Sequence, residues 1–421
     1  MNDIKHNFAV NLIEKGIQAL KEISNGTPLD DVLDKNRKDK ENAALADCLF
    51  QYFRRKTQVD YIIDSVLDGR KTKPKFKNII AISFVQSLYQ KGISKEVSVD
   101  CAVSFAKKKF GAKIAGFING TLRKLLSINN ESIIKTAPEN VQLNIPQEIF
   151  KKWKTFLSIE TIKKISECYS EKPKLTFRLT KKIESLPDEF AEQCSSLSLP
   201  KWANNYNFFE TNNPKVIFDS RLLESGEIYI QDPSTVSPCS FYFHNDNNIV
   251  YDLCAAPGGK TLLLLEKMNN GLLIAADSSY KRQQRTLENI DKINSNATVY
   301  ICVSSMEKPS FKHNSADFVL LDVPCTNTGV LRRKPDVLWN FSVKKLKQLI
   351  KKQKIILQNA SALLKPGGHL IYSTCSIEPD ENMMQVNHFL ADNRNFSLID
   401  SRLLLPCRQH DGGFSALIKK E

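Results

Sequence analysis

Hydrophobic positions change period once along the chain. Up to about residue 126 they recur at three- and four-residue steps, the spacing of one helix face. Ala9, Leu12, Ile13, Ile17 and Leu20 mark a first helix within 1–27, closed by Asn25-Gly26-Thr27-Pro28. Leu29–Leu33 starts a second, which runs into a charged loop, Lys35–Lys40. Ala43–Phe53 and Val59–Leu67 are amphipathic. Lys75–Tyr89 is apolar on most sides (Ile79, Ile80, Ile82, Phe84, Val85, Leu88) and predicts a core helix. Lys95–Phe105 and Lys113–Leu126 complete an all-α region over 1–140, and a polar connector spans 127–150.

The second pattern is mixed. A helical stretch from Pro146 to Tyr169 carries Trp153, Phe156, Leu157 and Ile165 on one side, and Lys174–Thr180 alternates like a strand. With Val216–Phe218 and Ile228–Asp232 this predicts a small α/β subdomain over 146–235. From 236 to 421, apolar strands (Ile249–Leu253, Leu272–Asp277, Thr298–Val303, Phe318–Leu321, His369–Ser373) alternate with helices over 280–293 and 343–364. Lys365-Pro-Gly-Gly368 breaks the last of these. The expectation is an α/β Rossmann-like domain, a parallel doubly wound sheet with its ligand site at the C-terminal strand edges.

Composition narrows the class. Hydrophobic residues make up 42% and charged residues 25%, as in a globular protein. No run of 18 apolar residues is present, so no membrane span is expected. The N-terminus has no apolar signal core, which points to the cytoplasm. Ten cysteines are scattered without a C-x-x-C pair, so reduced thiols and no metal site are expected. A monomer is expected. The net charge of +14 is spread over both halves and suits a polyanionic partner, nucleic acid first. The runs Arg54-Arg55-Lys56, Arg70–Lys77 and Lys107–Lys109 are solvated helix faces or sequence-independent phosphate contacts.

Chemistry concentrates at the strand ends. In Tyr251-Asp-Leu-Cys-Ala-Ala-Pro-Gly-Gly-Lys-Thr261, a strand passes through a small-residue turn into a helix. The helix N-terminus and free backbone N–H groups suit an electron-rich cofactor group. Asp277 ends the next strand, where doubly wound folds place a carboxylate on a ribose diol. Asp322-Val-Pro-Cys325 and Thr374-Cys375-Ser376 end two more. A thiolate at such an edge is a good nucleophile for an electron-poor ring carbon. The turn is not G-x-G-x-x-G, which weakens a nicotinamide reading.

These segments, with Gly329 and Arg332-Arg-Lys-Pro-Asp336, resemble the RNA cytosine-5 methyltransferase family of the Sun/Fmu type. Gly116-Phe-Ile-Asn-Gly-Thr-Leu-Arg-Lys124 resembles the last helices of NusB-type RNA-binding domains. The joint resemblance implies S-adenosylmethionine as methyl donor and 16S ribosomal RNA as partner. It implies a cofactor site at Cys254, Ala255, Ala256, Pro257, Gly258, Gly259 and Lys260, with Asp277 on the ribose and Asp322 at the same edge. Cys375 would add to C6 of cytosine, Asp322 would hold the base edge, and Cys325 would assist loss of the C5 proton. Arg332, Arg333 and Lys334 would contact RNA phosphates. Two departures stand out. Asn327 replaces a usual glycine, and the third strand ends in Ser304-Ser305 where the family commonly has an aspartate for the adenine. The alternative is a NusB-like RNA-binding protein whose methyltransferase half is degenerate.

Overall fold

The computed structural model describes residues 2–35, 42–90, 92–293 and 295–421. The charged loop expected over Lys35–Lys40 lies, from residue 36 onward, outside the described residues. Two compact units emerge, Met1–Glu171 with Leu331–Ser342, and Lys172–Val330 with Val343–Glu421.

The first unit is helical. Its central helix, Pro74–Tyr89, buries every residue from Ile79 to Ser87, so it is enclosed by the others rather than amphipathic. Asn42–Leu67 forms one continuous helix where two amphipathic stretches were expected. The intervening Arg54 is buried, and its guanidinium donates to the Tyr169 carbonyl at 3.1 Å. Burial, then repulsion from Arg55 and Arg332, lowers its pKa to about 10. Helices Lys95–Phe110 and Ala112–Ser127 meet at Gly111, and Ser94 caps the first through the Val97 N–H. The connector contains two short helices, Asn130–Lys135 and Glu139–Gln142.

The helices Gln147–Trp153 and Ile159–Ser170 also belong to this unit. The Tyr169 hydroxyl bonds to the Asn144 carbonyl, and the Asn144 amide bonds to the Arg54 carbonyl. The division between the units therefore falls at Glu171/Lys172, later than the boundary expected near 140–146. The segment 331–342 joins the same unit. The Leu29 N–H donates to Asp336 Oδ2 (3.1 Å), and the Trp339 indole donates to the Phe53 carbonyl (3.3 Å).

The second unit holds two sheets. The smaller comprises β1 (Leu175–Leu179), β2 (Ser195–Ser196), β3 (Phe208–Thr211) and β4 (Ile228–Ile230), in the order β2-β3-β1-β4. The larger comprises β5 (Ile249–Leu253), β6 (Leu272–Asp277), β7 (Thr298–Val303), β8 (Ala316–Asp322), β9 (Leu364–Thr374), β10 (Phe396–Leu404) and β11 (Gly413–Lys420). Their order is β10-β11-β9-β8-β5-β6-β7. β5–β9 are parallel, as expected, but β11 runs antiparallel to both β9 and β10. The sheet is thus mixed rather than wholly parallel. The strand order reverses at β5, which sits between β6 and β8. A crevice outside the C-terminal strand ends is expected at such a switch point.

The small sheet is fastened to the helix Gly259–Lys267 by a buried ion pair. Arg178 Nη1 lies 2.8 Å from both Glu266 oxygens, and Arg178 Nε donates to Gln231 at 2.7 Å.

Candidate active site

Asp252, one residue before the end of β5, is fully buried. The Thr261 hydroxyl donates to its Oδ2 at 2.6 Å, while Oδ1 has no partner among the described residues. Burial, partly countered by Thr261 and Lys260, raises the pKa to about 7. Folding thus favours the protonated acid. Stability is fully present below the ordinary carboxylate range and falls as pH rises toward about 7. Asp252→Asn should remove this dependence. Measured by denaturant titration, the variant should gain on the native chain by on the order of 4 kcal/mol between pH 4 and 8. A difference independent of pH would refute the assignment.

The start of the following turn is pinned to the end of β6. The Ala255 N–H donates to the Ala276 carbonyl (2.9 Å), and the Ala256 N–H donates to Asp277 Oδ2 (3.3 Å). Gly258 has φ of +97° and packs against Thr286, where a Cβ would lie 2.9 Å from the Thr286 methyl. Asp277 is buried, and its Oδ1 accepts from the Ser279 N–H and from Arg282 Nη2, both at 2.8 Å. Past β7, the Ser304 N–H donates to the Asp277 carbonyl and the Ser305 hydroxyl accepts from the Glu307 N–H.

Lys260 reaches from the helix N-terminus to Asp322 Oδ2 at 2.7 Å. Burial works against the ammonium charge, but Asp322 more than offsets it and holds the pKa above its usual range. Three residues beyond Asp322, Cys325 Sγ lies 3.1 Å from Cys375 Sγ. Cys375 also donates to Asn327 Oδ1 at 2.8 Å. Asn327 adopts φ of +62°, a left-handed conformation that asparagine tolerates better than most residues. The hydrogen bond with Cys375, then burial, pushes the Cys325 thiol well up.

The two cysteine loops are tied to each other. Ser376 Oγ lies 3.1 Å from the hydroxyls of both Thr326 and Thr328, and the Gly329 N–H donates to the Cys375 carbonyl at 3.0 Å. A Cβ on Gly329 would lie 2.4 Å from the Gly412 carbonyl oxygen and 2.9 Å from that of Cys375. Both are backbone atoms, so the loops must part. Gly329→Ala should cost about 1–3 kcal/mol in thermal melts. Because the strain falls on the Cys375 loop, any methyl-transfer activity of the folded fraction should drop with it. An unchanged melting midpoint would contradict the packing.

Glu381 underpins this arrangement and was not anticipated. It is fully buried; it accepts from the Thr326 N–H (2.9 Å), the Thr326 hydroxyl and the Gln353 amide (2.9 Å). Burial raises its pKa, against hydrogen bonds from Ser376, Thr326 and Gln353. Gln353 also donates to the Pro324 carbonyl at 3.0 Å. The signal for Glu381 is local, a Pro379-Asp-Glu-Asn382 turn just past the Cys375 strand end.

Cys254–Lys260, Asp277, Asp322, Cys325 and Cys375 all lie in the second unit, at the strand ends. Arg332, Arg333 and Lys334 belong to the first unit, where Arg332 is buried and Lys334 lies 3.3 Å from Asp30. Among the described residues no group of three or more His, Cys, Asp or Glu is placed to hold a metal, and no helix is long and apolar enough to cross a membrane.

A methyltransferase-type doubly wound domain and a NusB-type helical domain in one chain are the class that fold and site define. Residues 242–413 match the family model of 16S rRNA methyltransferase RsmB/F, and residues 7–127 match the NusB family. By these two matches the chain carries a domain of the 16S rRNA methyltransferase RsmB/F family and a domain of the NusB family. It is 28% identical over 394 residues to ribosomal RNA small subunit methyltransferase B of Proteus mirabilis, covering 92% of this chain and 93% of that protein. A methyltransferase homologue from Pyrococcus horikoshii aligns with a TM-score of 0.56 and 26% identity, over 67% of this chain and 98% of that one. Another solved chain shares the fold at a TM-score of 0.77 and 20% identity, over 98% of both chains.

Proposed function

We propose that the protein methylates C5 of a cytosine in 16S ribosomal RNA, using S-adenosylmethionine and a covalent bond between Cys375 and C6 of the base. The observation that carries the reading is the pair of thiols 3.1 Å apart at neighbouring strand ends, one of them three residues beyond an aspartate paired with a lysine.

The residues at the turn fit the cofactor. Gly258 leaves a small-residue cradle at a helix N-terminus, Asp277 is a carboxylate at the ribose position, and Asp252 has a carboxylate oxygen without a partner among the described residues. When bound, S-adenosylmethionine supplies an electrophilic methyl group on a sulfonium.

The chain's own residues supply the rest. C5 of a neutral cytosine is a poor nucleophile. Cys375 gives up its thiol proton to solvent, its sulfur bonds to C6, and the C5–C6 π pair moves to C5, which becomes able to take the methyl. Asp322 holds the base edge, and Lys260 opposite it offsets the charge that the adduct develops. Cys325 then accepts the C5 proton, the C6–S bond breaks, and the ring regains its double bond. The target base must be unpaired or leave its stack to reach the thiols.

Bisulfite mapping of ribosomal RNA from cells with and without the gene tests the reading. One 16S cytosine should lose its protection when the gene is absent. An unchanged map would overturn the proposal and favour the non-catalytic RNA-binding alternative.

A further inference from the structure

A second concavity in the catalytic unit shares no residue with the cysteine site. It encloses about 530 Å³ between the end of β1, the 3-10 turn Lys201–Ala203, the C-terminus of the helix Gly259–Lys267, and β10. Four cations line it, Lys181, Lys201, Lys267 and Arg402. Among the described residues of the wall the one carboxylate, Glu266, is already engaged by the buried Arg178.

The two inner cations bond, among the described residues, to neutral groups. Lys267 Nζ donates to the carbonyls of Cys239 (2.7 Å) and Tyr242 (3.3 Å). Arg402 Nη1 donates to the Ser240 hydroxyl (2.9 Å) and more distantly to Ser237. Burial lowers the pKa of both; Lys181 adds repulsion at Lys267, and Asp400 partly offsets the burial at Arg402. Four positive charges around one cavity repel each other unless an anion enters. Trp202 and Tyr206 add aromatic surface to the same wall, and Asn205 adds an exposed amide. Cations with aromatic rings and an amide are the elements that hold single-stranded nucleic acid, through phosphate attraction, base stacking and edge hydrogen bonds. The volume suits one nucleotide rather than a duplex.

We propose that this pocket binds one phosphate-bearing nucleotide of a single-stranded stretch of the RNA substrate, separate from the cytosine that reacts. The proposal rests on the RNA-methylating reading above. The anchor would fix the RNA at a second point and so orient the strand that delivers the target base.

The test uses the full chain and a fluorescent single-stranded RNA oligonucleotide, with affinity read by anisotropy over a series of KCl concentrations. Lys181 and Lys201 are exposed, so Lys181→Glu/Lys201→Glu should fold normally. It should bind at least about tenfold more weakly, and the slope of log affinity against log salt should fall by about 0.7 for each phosphate no longer neutralised. Lys215→Glu/Lys312→Glu makes the same charge change at exposed positions outside the pocket, and should bind nearly as the native chain. Equal weakening in both pairs would overturn the proposal in favour of general charge attraction. Adenosine monophosphate or inorganic phosphate binding as tightly as the oligonucleotide would overturn it in favour of a free-anion site. Methyl transfer by the native chain, with equal RNA affinity in both double variants, would sink the pocket alone. RNA binding that depends on the pocket, without any methyl transfer, would sink the functional reading and leave the pocket standing.

Discussion

Cys375→Ala is expected to lose methyl transfer by at least about 10⁴-fold, the scale on which removing a covalent nucleophile is felt. The reason lies in the substrate. Cytosine C5 becomes reactive only when C6 is bonded to a nucleophile, and Cys375 is the thiol beside the Lys260–Asp322 pair that is not closed off by burial. S-adenosylmethionine affinity, read by calorimetry, should be kept, because Asp252, Asp277 and the turn are untouched. The melting midpoint should move little, since the lost sulfur bonds chiefly to Cys325 and Asn327. Substantial retained transfer would remove Cys375 from the nucleophile role and point to Cys325. Loss of both transfer and cofactor affinity would mean that the substitution collapsed the strand edge.

The strand ends were readable because each chemical residue closes a strongly apolar run. Tyr251–Leu253, Leu320–Leu321 and Ile371–Tyr372 fix the direction and end of their strands, so Asp277, Asp322, Cys325 and Cys375 had to share one edge of a parallel sheet. β10 was not readable. It is an edge strand whose Ile399 and Leu403 face solvent, so the alternation that marks a half-buried strand is absent. β9 begins five residues before the expected start, because Leu364 already pairs with Ala316 ahead of an irregularity that spans the glycines, and the ladder resumes at His369. In the first unit, the charges Arg54-Arg55-Lys56 read as a surface run between two helices. The chain runs through them as one helix because the Tyr169 carbonyl satisfies Arg54 from 115 residues away. Long-range partners of that kind leave no local trace. Glu381 is the same case at the site. Its partner Thr326 stands 55 residues earlier, and only the fold makes it the floor of the Cys325 loop. Arg332–Lys334 follow the Cys325 loop in sequence and read as phosphate contacts. The contacts of this segment with the helical unit, through Trp339 and the Asp336 carboxylate, left no signal in the sequence.

Cys325→Ala should have the opposite signature from Cys375→Ala: a covalent protein–RNA product that accumulates rather than one that never forms. In the free protein the hydrogen bond with Cys375 is the largest cause of the raised Cys325 pKa, ahead of burial. Cys325 is then a thiol and a poor base. Once the Cys375 sulfur is bonded to C6 it no longer shares a proton or charge with its neighbour. That cause disappears, so Cys325 can release its own proton to solvent and, as the thiolate, accept the C5 proton at the step that needs it. Alanine at 325 removes the acceptor while leaving the nucleophile. Turnover should fall by about 10²–10⁴-fold, and a band of protein joined to RNA should survive denaturing gels. The band should require the methyl donor if adduct without methyl reverses quickly, and the double variant Cys325→Ala/Cys375→Ala should give none. No band with a cytosine-containing 16S fragment, under conditions where the native chain turns over, would show that the two thiols do not divide the work in this way. A band of equal strength from Cys375→Ala would reverse their roles.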